Sequence, residues 1–211
     1  MKKLVLFLSI IVFTACSSAY YNTLEQFGVH KREILVDRVD AARDSQVEAK
    51  EQFETALEKF RSVVNFDGGN LEKTYNELNR ELERSEERAD EVGERIDAIE
   101  DVANALFREW EQELDQYSSP SLRRQSEQQL RQTRARYQDM LTVMRRAEAR
   151  IAPVLDPFRD QVLFLKHNLN AQAIASLQGE VAVIEADVAG LIRDLEQAIA
   201  AADEFMANNS S

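Results

Sequence analysis

LEKTYNELNRELERSEERADEVGERIDAIEDVANALFREW, residues 71–110, decides the fold. Leu71, Tyr75, Leu78, Leu82, Ser85, Ala89, Val92, Ile96, Ile99, Ala103, Leu106 and Trp110 step by four and three in strict alternation. That is the heptad rhythm of a helix whose narrow apolar seam is covered by partner helices. Only Ser85 among these positions is plainly polar, and a repeat of 3.5 residues held this long implies a left-handed supercoil. From Asn70 to Tyr117 such a helix spans roughly 70 Å, so its partners must be long too.

The rhythm continues on both sides. Upstream, Leu35 or Val36, Val39, Ala42, Ala49, Phe53, Ala56 or Leu57, Phe60 and Val63 or Val64 form a broader stripe, interrupted around Gln46 and Val47. Between the two helices, Asn65-Phe66-Asp67-Gly68-Gly69-Asn70 reads as a tight reversal. Its glycines permit positive φ at a helix end and Asn70 can cap the next helix, which makes the pair an antiparallel hairpin. Downstream, Ser119 as N-cap and Pro120 at the first helical position open a third helix. Leu122, Leu130, Thr133, Tyr137, Met140, Met144, Ala147, Ile151 and Val154 form its seam, poorly apolar in the first half, where Ser126 and Gln129 lie.

Pro153 and Pro157 each remove an amide donor and clash with the carbonyl four residues back, so a kink or break is expected there. Val162, Leu165, Leu169, Ala173, Leu177, Val181, Ile184, Val188, Leu191, Leu195, Ala198, Ala202 and Phe205 then resume the pattern. A full turn at the prolines gives a four-helix bundle; a kink gives a long third helix in a three-helix rod. Four segments of similar length bury one another's seams, which favours the bundle. The fold class is therefore all-α, an elongated antiparallel coiled coil or helical bundle of three to four long helices over residues 28–207, with a disordered tail at 208–211.

The chain carries 26 Lys and Arg against 38 Asp and Glu, a formal charge of −12. Such a surface repels phosphate backbones, so no nucleic-acid partner is expected, and anionic headgroups are repelled as well. Attachment to a membrane must come from elsewhere. Lys2 and Lys3 precede an apolar run from Leu4 to Ala15, too short to cross a bilayer but suited to a signal-peptide core. Phe13-Thr14-Ala15-Cys16 resembles the lipobox of bacterial lipoproteins, departing from it at Phe13, where Leu is usual. The resemblance implies a signal peptide at 1–15, cleavage before Cys16, lipidation of its sulfur, and a tether over 16–27. Cleavage after Ser17-Ser18-Ala19 by ordinary signal peptidase is the alternative, and would remove the chain's single cysteine. Several acyl chains at about 0.8 kcal/mol per buried CH₂ hold a protein firmly. Ser17, where lipoproteins kept at the inner membrane carry Asp, implies a Gram-negative outer-membrane lipoprotein facing the periplasm; Tyr20 and Tyr21 suit the membrane interface.

Chemistry is sparse. His30 and His167 are far apart with no second histidine at helical spacing, so neither a metal nor another cofactor is expected. Glu86-Glu87, Glu100-Asp101 and Glu109, Glu111, Glu113 are ordinary for solvated helix faces. Asp67 and Asp156 suit loop shaping. Gly68-Gly69 lacks the strand and the Lys-Ser or Lys-Thr of a phosphate loop. Ser119 has no histidine nearby. Trp110 sits on the seam, which points to core before binding hot spot. Arg123, Arg124, Arg131, Arg134, Arg136, Arg145, Arg146 and Arg150 concentrate charge on the third helix, as complementary flanks for acidic neighbours or as a stripe for an anionic envelope polymer.

The opening AYYNTLEQFGVHKREILVDRV (19–39) and VNFDGGNLEKTYNELN (64–79), behind the cysteine-terminated leader, resemble a family of proteobacterial envelope lipoproteins carrying a domain of unknown function. The resemblance implies place and shape, and no activity. A non-enzymatic, lipid-anchored periplasmic protein with a structural or interaction role is expected, its partners the membrane through Cys16 and an envelope protein or polymer. A homo-oligomeric coiled-coil scaffold and a soluble chaperone-like binding protein are the alternatives.

Overall fold

The structure, a computed structural model, describes residues 30–66, 68, 70–170, 174 and 177–209. The signal peptide, Cys16, the tether with Tyr20 and Tyr21, and Asp67, Gly69 and Ala173 lie outside the described residues. Among the described residues there are four long α-helices, one short 3₁₀ turn and no strand. They are α1, Lys31–Val64; α2, Leu71–Glu113; α3, Pro120–His167; and α4, Val181–Ala207, with the 3₁₀ turn at Leu114–Gln116 between α2 and α3. None of the helices is long and apolar enough to cross a membrane among the residues described.

The local signals act where the sequence placed them. Asn70 Oδ1 accepts from the Lys73 amide at 3.0 Å, Ser119 Oγ accepts from Leu122 at 3.5 Å, and Pro120 opens α3. Gly68 takes φ +136°, a conformation in which a Cβ would be strained.

The seam is covered within one chain. Leu78, Val92, Ile96, Ile99 and Ala103 are wholly buried and Leu82 nearly so, in one core with residues from all four helices. Toward its end α2 buries more than the heptad seam, adding Val102, Ala105 and Phe107. Each helix packs on the next, and α4 returns to α1.

Ion pairs along the flanks give the directions. Lys31–Glu109, Glu48–Arg88 and Lys59–Glu77 join α1 to α2. Arg43–Asp203, Lys50–Glu196 and Arg61–Glu185 join α1 to α4. Glu111–Arg134, Asp97–Arg145 and Glu86–Arg159 join α2 to α3. In every set the numbers rise on one helix as they fall on the other. Apart from the Lys31 pair, whose lysine is buried, these lie at the surface, where such pairs are worth about 0–1 kcal/mol each, so they fix register more than they stabilise.

The chain neither breaks nor turns at the prolines. α3 runs unbroken through Pro153 and Pro157 for 48 residues, about 72 Å, and the chain reverses later, between His167 and Val181. Val162 and Leu165 therefore belong to α3, not to the last helix. The reason is energetic. Ile151, Val154, Leu155, Phe158, Val162 and Leu165 are all buried around the prolines, at about 1.5–3 kcal/mol apiece. Two interior prolines cost about 3 kcal/mol each, so burial wins. Pro153 itself faces solvent, and Phe158 meets Phe60 of α1 edge-on at 5.7 Å.

Four smaller expectations change. Leu122 and Leu169 are exposed, not on a seam. Gln46 does not interrupt the α1 stripe but fills it, wholly buried between Ala42 and Ala49. Asn208 and Asn209, expected in a disordered tail, form a hydrogen-bonded turn, with Asn209 buried and its carbonyl accepting from Arg32 at 2.8 Å.

Candidate functional site

Most nominated groups are absorbed by the bundle. Glu86 pairs with Arg159, Glu109 with Lys31 and Glu111 with Arg134. Glu87, Asp101 and Glu113 are exposed. Asp156 pairs with Arg159 one turn on, and Ser119 is a helix cap. His30 caps the start of α1 by its backbone and His167 ends α3, so the two imidazoles stand at opposite ends of the bundle. No group of three or more His, Cys, Asp and Glu among the described residues is placed to hold a metal ion.

The third-helix arginines are mostly flanks. Arg145 is the densest case: its guanidinium meets Asp97 at 2.5 Å, Glu148 at 2.9 Å, and Glu100. Burial opposes its charge, but the hydrogen bonds it donates to those carboxylates outweigh burial and hold it above the usual guanidinium range. Arg146 and Arg150 share Asp194 of α4, and Arg150 lies over Gly190, where a Cβ would stand 2.3 Å from its Nη2. Together with Pro153 and Asp187 they line an open groove of about 570 Å³ between α3 and α4.

Two polar features were not legible in the heptads. One is a core layer: Gln52 Nε2 donates to Glu81 Oε2 at 3.0 Å and to Ser85 Oγ at 3.4 Å, while Ser85 donates to the Glu81 carbonyl at 2.7 Å. Arg84 completes the Glu81 carboxylate at 3.0 Å. The only hint was the polar Ser85 on the seam. The other is a cleft of about 310 Å³ where α1 begins and α4 ends, lined by Arg32, Trp110, Gln129, Thr133, Arg136 and Asn209 among others. Trp110 packs against the core and borders this cleft, and its Nε1–H donates to buried Ser126 at 2.8 Å.

Among the described residues, the large apolar side chains left exposed are Tyr117, Leu122, Leu163, Phe164, Leu169 and Val183. Tyr117 and Leu122 sit at the α2–α3 turn. The other four sit at the opposite end, around the α3–α4 connection. What the arrangement offers is therefore contact surfaces at two ends and charged flanks between them, with no nucleophile, base and acceptor assembled among the described residues.

A family model described as "Protein of unknown function (DUF2959)" matches residues 20–209. No curated protein and no solved structure matches the chain.

Proposed function

The chain belongs to this family of proteins of unknown function, and on that premise we propose a non-enzymatic, lipid-anchored role in the envelope of a Gram-negative bacterium. Acylated Cys16 holds the chain at the outer membrane, facing the periplasm. The antiparallel coiled-coil bundle then carries an interaction surface away from the membrane. One observation carries the proposal: Leu163, Phe164, Leu169 and Val183 are 39–54% exposed at the end away from His30, toward which Cys16 leads. An exposed apolar patch at the tip of a charged rod is the usual mark of a protein contact. The homo-oligomeric alternative was motivated by a seam needing cover, and that seam is buried inside one chain.

The test is site-specific photo-crosslinking in cells from Phe164 and, as a flank control, from exposed Glu94. An envelope protein or polymer captured from Phe164 alone supports the proposal. Crosslinks only to a second copy favour the homo-oligomer, and no difference between the two sites contradicts a tip contact.

A further inference from the structure

The α2–α3 turn reads Leu114-Asp115-Gln116-Tyr117-Ser118-Ser119-Pro120-Ser121-Leu122-Arg123-Arg124. Tyr117 is 42% exposed and Leu122 53%. From Glu111 to Gln125 no residue is buried. Neither α1 nor α4 covers this turn, because both stop short of it. Lys31 bonds Glu109 and Arg32 bonds the Asn209 carbonyl, so the start of α1 and the end of α4 stand level with Glu109. Four more helical residues and the 3₁₀ turn carry α2 about 12 Å further.

The described chain begins at His30, at this same end. The 14 residue steps from Cys16 to His30 reach at most about 50 Å fully extended. A bilayer holding acyl groups on Cys16 therefore lies within reach of the turn. The chemistry of the turn suits a lipid surface better than a protein groove: it projects past α1 and α4 and carries an exposed tyrosine, an exposed leucine and small hydroxyl residues. Tyrosine favours the headgroup level, where its ring is apolar and its hydroxyl wet. Asp115 is neutralised by Arg123 at 2.9 Å. Arg124 is exposed and pairs with no carboxylate among the described residues, so it is left for a phosphate.

We infer that the α2–α3 turn is a second membrane contact, Tyr117 and Leu122 entering the interface of the bilayer that holds Cys16 and Arg124 meeting its headgroup phosphates. The inference rests on the lipid-anchor reading above. Two attachment points would orient the rod, setting the patch around Leu163 and Phe164 away from the membrane.

The test uses full-length acylated protein from native membranes, carrying Ser118→Cys as its one free thiol, since the Cys16 sulfur is taken up in the thioether. The thiol is labelled with an environment-sensitive fluorophore and the protein placed in phosphatidylethanolamine–phosphatidylglycerol vesicles. Glu94→Cys is the control. Blue-shifted emission several-fold brighter at position 118, quenched by a headgroup quencher and lost in a Tyr117→Ser, Leu122→Ser background, is expected. Water-like emission at both positions, with acyl masses on Cys16 in the same sample, overturns the inference alone, as does a shift that survives the double substitution. A sample lacking those masses overturns both the inference and the anchor on which it rests.

Discussion

Gln46 is wholly buried in α1, and neither its Nε2 nor its Oε1 has a hydrogen-bond partner in the protein. An amide taken from water without a compensating bond costs about 1–3 kcal/mol by protein mutational data. Methionine is unbranched and close to glutamine in length, and a near-isosteric exchange costs under about 1.5 kcal/mol in packing. Gln46→Met is thus expected to stabilise the protein by about 1–2 kcal/mol, or about 2–6 °C in Tm for a chain of 211 residues. Gln52→Met is the matched control. Its amide bonds Glu81 and Ser85, so losing it strips a donor from the carboxylate of a side chain only 12% exposed, at about 1–3 kcal/mol. The same substitution six positions along one helix should act with opposite sign. Urea unfolding followed by circular dichroism reads both as midpoint shifts at constant slope. A loss of more than about 1 kcal/mol in Gln46→Met would refute the reasoning, because it would mean the amide is satisfied.

Other outcomes follow from particular contacts. Pro153→Ala restores a donor on the solvent face of α3 and should gain up to about 3 kcal/mol in the same assay. Burial, with Glu100 adding to it, pushes the Tyr137 hydroxyl up to about 12. The folded chain then keeps a proton the unfolded chain gives up near 10, so this contribution is whole below pH 10 and fades as pH rises toward 12; Tyr137→Phe should flatten that decline in pH-dependent unfolding. Hydrogen bonds from Arg88 and then Arg95 hold the Glu91 carboxyl below its ordinary 4.5. Its contribution is present above that value and lost as pH falls through the lower folded one, so acid unfolding of Glu91→Gln should be less steep below about pH 4.5.

Much of the fold was legible because helix seams and caps are local. Leu78, Ile96 and Ile99 needed only their spacing, and Asn70, Gly68 and Ser119 only their immediate neighbours. What failed depended on sums over distant contacts. Pro153 and Pro157 look like a break until the six buried side chains around them are counted, and those are buried by helices far away in sequence. Val162 and Leu165 keep the same rhythm in either topology, so spacing could not assign them to α3. Gln46 is polar by composition and buried by position. The exposed ends were illegible for a related reason: Tyr117 and Leu122 look like ordinary apolar positions until the lengths of α1 and α4 show that neither helix reaches them.

Both functional proposals need the two apolar ends to stand far apart, which holds only if α3 is one uninterrupted rod. Spin labels at Gln128→Cys and Lys166→Cys in a Cys16→Ser chain, both on exposed sites, measure this by pulsed electron resonance. A continuous helix puts them about 57 Å apart. A chain that turns at Pro153 and Pro157 would bring them within about 30 Å and contradict the account.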